Sequence, residues 1–486
     1  MELSSAYRPS TSHARLGDAF YDRVAPASFP MHVLRWRNQR WAERVGLGAM
    51  SDDAWIDHFG RFKPLPDSYP EPLALRYHGH QFRVYNPEIG DGRGFLFAQL
   101  HDAGDGRLLD LGTKGSGRTP WSRTADGRLT LKGGLREILA TEMLEALGVN
   151  TSKSFSLVET GEDLIRGDEP SPTRSSVMVR LSHSHIRFGS FQRLLYLDET
   201  ENIKRLLDYS IETYMPQIWR DDVAGRAVAF VENVGRLVAR TGAEWMVAGF
   251  VHGVLNTDNI NITGESFDYG PWRFLPVLEP AFTAAYFDHQ GLYAFGRQPD
   301  TLLWNLSRLA ECFLSIAPQG DLERVLGDFG RIFQAEFESN LLRRLGLAPS
   351  DSEKNAALVQ AWWQFLVRAK APFEQSFFDW HGGLASSERA DQSPNRAFYD
   401  GQAFEPVRAA LGDFTPTNEA ALRLGYFERS TPCTMLIDEV EAIWDPIAQA
   451  DDWSNFKTKI ADIREMGSAL GNEPSARPAE MRRVEP

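Results

Sequence analysis

Apolar residues occur in short runs through the first 182 positions and at three- and four-residue steps beyond about residue 200. The runs 94–100 and 107–114 predict two strands joined by a tight turn at Asp105-Gly106, and 154–158 and 176–182 predict two more. Between the two pairs, Leu131 to Leu147 follow a helical face that stops at Gly148. Helical periodicity after residue 200 continues to about 369. The fold class predicted is therefore α+β.

Strands, one helix and more strands, followed by a long helical part, is the order found in a two-lobed, protein-kinase-like fold. We expect a β-rich N-lobe with one key helix and a larger helical C-lobe. The predicted divisions are an N-terminal collar over 1–75, the N-lobe over 76–195, the helical C-lobe with catalytic and metal loops over 196–369, a C-terminal extension over 370–466 and a flexible tail over 467–486.

The amino-acid composition and net charge exclude some classes of function. The chain has 486 residues and a formal net charge of -14, which argues against general nucleic-acid binding because that needs a basic footprint. Its two cysteines, Cys312 and Cys433, form neither a disulfide framework nor a metal motif. The start has no signal-type apolar core and no run reaches the length of a membrane span. We expect a cytoplasmic monomer without membrane or nucleic-acid partners.

The stretch HGVLNTDNINITGESFDYG, residues 252–270, resembles the catalytic and metal-binding loops of a kinase. Asn259 stands seven residues after His252, in the register of a metal-binding asparagine, and Asp268 begins a triplet like Asp-Phe-Gly. Both offer oxygen ligands of the kind that Mg2+ prefers. Val254 occupies the position of the catalytic base, and the nearest alternative carboxylate is Asp258. A polar turn and an unrelated Asp-Tyr-Gly turn remain the alternative.

Two further segments could bind a nucleotide. IGDGRG, residues 89–94, could bring backbone amides to phosphate oxygens, although alone it is more often an ordinary turn. Lys114 ends a predicted strand and Glu137 lies on the following helix, which is the kinase arrangement for clamping phosphates. The alternative is a surface lysine and a solvated glutamate, but Glu137 has apolar neighbours on the helix.

Arginines and histidines follow the last predicted strand. Arg180 and Arg187, seven residues apart, have the chemistry for multidentate phosphate binding, and their alternative is a structural role in surface ion pairs. Two His-x-His pairs, 78/80 and 183/185, lack a further ligand at metal spacing. We interpret them as core or surface histidines in preference to a zinc site.

With these motifs in view, the sequence resembles the selenoprotein O family of kinase-like protein adenylyltransferases. The resemblance runs from about residue 78 to 275 and includes YHGHQF, GDGRG, LGTKGSGRTPWSR, LREILATEML, VRLSHSHIRFGSFQ and HGVLNTDNINITGESFDYGP. It implies nucleotide contacts from Gly90, Gly92, Arg93, Asp126 and Gly127, phosphate contacts from Lys114 (paired with Glu137), Arg180 and Arg187, metal binding by Asn259 and Asp268, and Asp258 as proton acceptor.

The resemblance also implies a reaction. ATP would bind flipped relative to kinases, with Mg2+ or alternatively Mn2+, and AMP would pass to a Ser, Thr or Tyr hydroxyl of a target protein with release of pyrophosphate. Many members carry a cysteine or selenocysteine close to the C-terminus, but this sequence has no cysteine after Cys433. Residues 1–75, except for RLGDAFYDRVAP, and those after about 370 match the family pattern only weakly. An ordinary phosphotransferase and a non-enzymatic nucleotide-binding pseudokinase scaffold are the alternatives.

Overall fold

The computed structural model describes residues 3–167 and 169–472. Its strands are β1 (Pro9–Ser10), β2 (Tyr21–Arg23), β3 (Val33–Arg37), β4 (Leu73–Leu75), β5 (Gly79–Gln81), β6 (Val84–Asn86), β7 (Leu96–His101), β8 (Leu108–Lys114), β9 (Leu129–Thr130), β10 (Lys153–Leu164), β11 (Thr173–Ser182), β12 (Phe250–Val251) and β13 (Arg273–Phe274). Its α-helices are α1 (Gln39–Arg44), α2 (Asp52–Phe59), α3 (Leu131–Ala146), α4 (Phe188–Tyr196), α5 (Thr200–Tyr214), α6 (Val223–Val247), α7 (Gln298–Glu311), α8 (Gln319–Arg344), α9 (Ser352–Ala369), α10 (Phe373–Asp379), α11 (Ser387–Gln392), α12 (Arg396–Tyr399), α13 (Glu405–Leu411), α14 (Ile437–Ala450) and α15 (Ser454–Ala469).

Nine of the strands described in the first 182 residues form one antiparallel sheet, and β5 and β6 pair separately. The strands of this sheet run in the order β2-β4-β7-β8-β11-β10-β3, with β1 paired to β7 and β9 to β11. The four predicted strands are confirmed as β7, β8, β10 and β11, and Gly106 makes the turn before β8 with φ +78°. Residues 1–75 also contribute strands, because β2 pairs with β4 and β3 pairs with β10.

The predicted helix is confirmed as α3. The side chain of Thr130 accepts a hydrogen bond from the Gly133 amide at the start, and Gly148 follows the end with φ +80°, in the left-handed region that suits glycine. Alternation along β10 and β11 divides the core between the two sheet faces. Leu157 and Met178 pack in the cluster that contains α3, whereas the adjacent residues Val158, Val177 and Val179 pack on the other face with α1 and α2.

Helices dominate after residue 188, as the periodicity predicted, so the fold is a mixed α and β structure with an antiparallel sheet. Helix α15 packs on α3, where Arg464 pairs with Glu142 at 3.0 Å. Of the predicted tail, residues 467–469 belong to α15 and 473–486 lie outside the described residues. No helix among residues 3–167 and 169–472 is both long and apolar enough to cross a membrane.

Candidate active site

Four charged side chains meet where the sheet faces α3. Lys114, the last residue of β8, donates from Nζ to Glu137 Oε2 at 2.6 Å and to Asp268 Oδ1 at 2.9 Å. Arg180 on β11 donates to the same two carboxylates, at 3.3 and 3.0 Å. The sheet explains this, because Lys114 is paired with Met178 and Arg180 lies two residues further along β11, on the same face. Two cations and two anions thus compensate one another in a cluster that is buried except at Asp268, whose side chain is 27% exposed.

Asp268 is held as an anion in this cluster. Burial by itself would raise the pKa of its carboxyl, but Lys114, Arg180 and Arg93 outweigh burial and hold the pKa well below its usual range. The backbone at Asp268 is left-handed, with φ +61°, a conformation uncommon for residues other than glycine. A strained residue that presents an ionised oxygen beside a lysine and an arginine is typical of a functional site.

His252 fixes the backbone next to Asp268. Its Nε2 lies 3.0 Å from the carbonyl oxygen of Phe267, and its own amide donates to Gln298 Oε1 at 3.1 Å. Burial lowers the pKa of His252, so the ring is neutral at physiological pH. Because Nε2 faces a carbonyl acceptor, this nitrogen carries the proton. The first residue of the quoted motif therefore positions the loop of the last triplet.

Asp258 lies in the short 3-10 turn Thr257–Asn259. Its Oδ1 is buried and has no hydrogen-bond partner among the described residues. Burial raises the pKa of this carboxyl to about 7. The charge of Arg187 and hydrogen bonds from the backbone and the Gln81 side chain oppose the rise in pKa, and the charge of Asp268 adds to it. A carboxylate with a pKa near neutrality has the properties of a general base. Neighbouring Asn259 donates its amide nitrogen to the Val254 carbonyl at 2.9 Å.

Arg187 is at the N-terminal end of α4, beyond the cluster of four. Its guanidinium lies over the Tyr77 ring at 4.3 Å and the Phe267 ring at 5.3 Å, and one of its nitrogens is 3.3 Å from Asp91 Oδ1. Burial would lower its pKa, but these groups keep the pKa above its usual range. Sequence reasoning missed Asp91, although it stands inside the glycine segment that was singled out.

The glycine segment packs against the loop that follows Lys114. A Cβ on Gly90 would lie 2.5 Å from the Trp121 ring, and one on Gly92 would lie 2.8 Å from the Trp121 carbonyl oxygen. The carbonyl of Arg93 accepts the Gly115 amide at 2.7 Å, while the Arg93 side chain is exposed. Close backbone packing therefore accounts for these glycines, and their predicted contact with nucleotide stays a prediction.

Asp126 and Gly127 lie on the other side of that loop. The Gly117 amide donates to the Gly127 carbonyl at 3.1 Å, and Gly127 has φ +73°. The Asp126 carboxylate pairs with Arg166 at 2.8 Å, and no described contact joins it to the Lys114–Asp268 cluster. The structure thus places Asp126 at the glycine loops, apart from the charged cluster.

The two His-x-His pairs make ordinary polar and ring contacts. His78 Nδ1 is 2.8 Å from the Tyr85 hydroxyl, and His80 Nδ1 is 2.8 Å from the Gln192 amide nitrogen. His183 meets the Tyr214 ring edge-on. Across the described part of the chain, no three His, Cys, Asp or Glu side chains are grouped in a way that could hold a metal ion. A site built from Asn259, Asp268 and phosphates is of a different kind, with few protein ligands.

Comparison with known proteins identifies the family to which the chain belongs. The family model described as Protein adenylyltransferase SelO matches residues 3–464. The chain belongs to the SelO family. A relative from Gloeobacter violaceus is 44% identical and is covered over 95% of each chain. A relative from Synechocystis is 42% identical over 95% of this chain and 98% of its own. Both carry the name Protein nucleotidyltransferase YdiU.

The predicted family and enzyme class, a protein nucleotidyltransferase, are confirmed by these matches. The match to the SelO family also takes in residues before 75 and after 370, where the resemblance drawn from motifs was weak. Membership of the SelO family is consistent with AMP transfer and implies a nucleotide substrate and a protein acceptor. It assigns no role to an individual residue of this chain.

Proposed function

We propose that this SelO-family chain transfers AMP from ATP to a Ser, Thr or Tyr hydroxyl of a target protein, in a two-lobed, protein-kinase-like fold with the divisions given above. The observation that carries the proposal is that two carboxyl groups of the same motif have pKa values shifted in opposite directions. Asp268 is kept ionised by Lys114 and Arg180, whereas Asp258 has a pKa near 7 and a buried oxygen without a partner. One is suited to hold a cation and the other to accept a proton.

The reaction is an in-line displacement at the α-phosphorus. The acceptor hydroxyl loses its proton to the Asp258 carboxylate as its oxygen forms a bond to the α-phosphorus, and the bond from the α-phosphorus to the oxygen that bridges to the β-phosphorus breaks to release pyrophosphate. Lys114 would bind phosphate oxygens while Glu137 holds it in place. Arg187, and Arg180 with its buried and unpartnered Nε, would receive the β- and γ-phosphates, which fits ATP bound in the flipped orientation.

The donor set fits a hard divalent cation. The side-chain nitrogen of Asn259 donates a hydrogen bond to the Val254 carbonyl, so its amide oxygen is the atom that would bind a cation. Asp268 would supply a carboxylate oxygen as the second ligand. Two oxygen ligands completed by phosphates suit Mg2+, with Mn2+ as the alternative. When bound, the ion would neutralise phosphate charge that develops during displacement. The residues of this chain orient the nucleotide and move the proton.

The test is parallel incubation with ATP labelled at the α- or the γ-position, followed by intact-mass measurement. We expect label on protein from the α-position only, with a mass gain of one AMP. Label from the γ-position only would establish phosphotransfer and overturn the proposal. Nucleotide-dependent thermal stabilisation without any transfer would favour the scaffold alternative.

Two matched variants test the assignment of roles. Asp268→Asn removes the anion beside Lys114, so metal-dependent nucleotide binding should be lost. Asp258→Asn removes only the base, so binding should persist while transfer slows by about 10²-fold or more. Binding is measured by nucleotide-dependent thermal shift with and without Mg2+. Equal loss of binding in both variants would refute the division of roles.

A further inference from the structure

Two aromatic side chains are exposed on the loop that follows the Asp-Tyr-Gly triplet. Tyr286 is 77% exposed and Phe287 is 42% exposed. Their rings meet edge-on, with centroids 5.1 Å apart. Large aromatic side chains that remain in water on a folded protein are candidates for a binding surface, especially near a reaction centre.

A chain of ring contacts leads from this pair to the turn of Asp258. The Phe287 ring is 5.8 Å from Phe82, which in turn lies 4.8 Å from Tyr293. The Tyr293 hydroxyl donates to Asn256 Oδ1 at 2.6 Å, and the Phe82 amide donates to the same oxygen at 3.0 Å. Asn256 is two residues before Asp258, so these contacts connect the exposed rings to the loop that carries the proposed base.

The exposed rings stand on a well-anchored loop. Ala284 and Ala285, directly before them, are buried, and a Cβ on Gly253 would lie 3.0 Å from Ala284 Cβ. Directly after them, the buried Asp288 carboxylate accepts the amides of Leu292 and Tyr293, both at 2.8 Å. The loop thus presents Tyr286 and Phe287 to solvent in a fixed place beside the catalytic motif.

We propose that Tyr286, Phe287 and Phe82, here called the aromatic surface, dock the acceptor protein. The inference rests on the proposed function, which brings an acceptor hydroxyl to the Asp258 carboxylate. The occupant is an extended segment that carries this hydroxyl and, a few residues away, a large apolar side chain. Extended chain advances about 3.3 Å per residue, so the number of residues between the hydroxyl and the selected apolar side chain would measure the separation of the rings from the base.

The experiment uses the full chain, Mg2+ and α-labelled ATP with a positional-scanning peptide library. Each peptide has one Ser, Thr or Tyr at its centre and one fixed residue at a flanking position. Tyr286→Ala/Phe287→Ala is compared with the native chain, with the conservative variant Tyr286→Phe, and with the control Leu314→Ala/Leu424→Ala. The control removes two side chains that are 50% and 45% exposed on other parts of the surface.

We expect the native chain, Tyr286→Phe and the control to select a large apolar residue at one or more flanking positions. In the double alanine variant this selection should disappear, and KM for the selected peptides should rise about tenfold while kcat changes little. An unchanged nucleotide-dependent thermal shift shows that the variant is folded.

Two outcomes would contradict the proposed docking surface, and the experiment distinguishes them from each other. If the native chain labels proteins but shows no apolar selection in the library, or if the double variant keeps the selection, the docking surface is wrong and the proposed function stands. If no α-label reaches any protein or peptide, the proposed function itself fails, and the docking surface fails with it.

Discussion

Replacing Asp258 with asparagine should make the protein more stable while it slows transfer. The carboxylate Oδ1 is buried without a hydrogen-bond partner in the described structure, so the folded state must hold a poorly compensated negative charge above neutral pH. Asparagine has nearly the same shape and no charge. The variant therefore removes the electrostatic penalty with little change in packing.

The magnitude follows from the pKa of Asp258, which burial raises from 3.8 to about 7. One pKa unit corresponds to about 1.4 kcal/mol, so the ionised carboxylate lowers the free energy of unfolding on the order of 4 kcal/mol above neutral pH. The sign follows from linkage. Because the pKa is higher in the folded state, the folded protein holds the proton more tightly, and the penalty grows as pH rises from about 4 to about 7.

The assay is urea unfolding of the nucleotide-free protein at about pH 8 and about pH 6. We expect Asp258→Asn to raise the free energy of unfolding at both values, with a gain about 1.4 kcal/mol smaller at the lower pH. Asp22→Asn is the control of opposite sign, because Arg76 and Trp121 hold the pKa of Asp22 below its usual value. A variant that is no more stable than the native chain at the higher pH would refute the reasoning.

Two other substitutions and the pH dependence of native transfer have defined outcomes. Glu137→Gln leaves Lys114 and Arg180 poorly compensated, so urea unfolding should show a loss of about 3 kcal/mol and nucleotide binding should weaken. In Gly79→Ala the new Cβ would lie 2.9 Å from Thr257 Oγ1 and 3.3 Å from Asp258 Oδ1, so transfer should slow while thermal shift by nucleotide persists. Native transfer should itself decline as the pH falls through the pKa of Asp258 in the working complex, because the protonated carboxyl cannot accept the proton of the acceptor hydroxyl, and a flat pH–rate profile would contradict this.

The local sequence pattern predicted contacts correctly where the two residues lie on neighbouring elements of the chain. Lys114 at a strand end and Glu137 on the next helix were predicted as a pair, and they lie 2.6 Å apart. The pattern gave no sign that Arg180 joins Asp268 in the same cluster, because that contact depends on the pairing of β8 with β11. Asp91 was passed over beside more conspicuous glycines, and only its contact with Arg187 reveals it.

The short strands of the first 75 residues could not be predicted from the sequence pattern either. β2 and β3 have three and five residues, too few to show a period, and each finds its partner far along the chain. Their assignment to the sheet is a tertiary property, since isolated strands of this length have no stability of their own.

By itself the sequence determined the order of four strands and one helix between residues 94 and 182, the pairing of Lys114 with Glu137 and the motif that carries Asp258, Asn259 and Asp268. These features follow from local periodicity and fixed spacing along the chain. Only the tertiary structure decided how the two aspartates differ. Asp268 is kept ionised by Lys114 and Arg180, which strand pairing places beside it. Burial raises the pKa of Asp258 to about 7, so this carboxyl is far more easily protonated. Both effects depend on neighbours distant in sequence, and for that reason no local pattern could supply them.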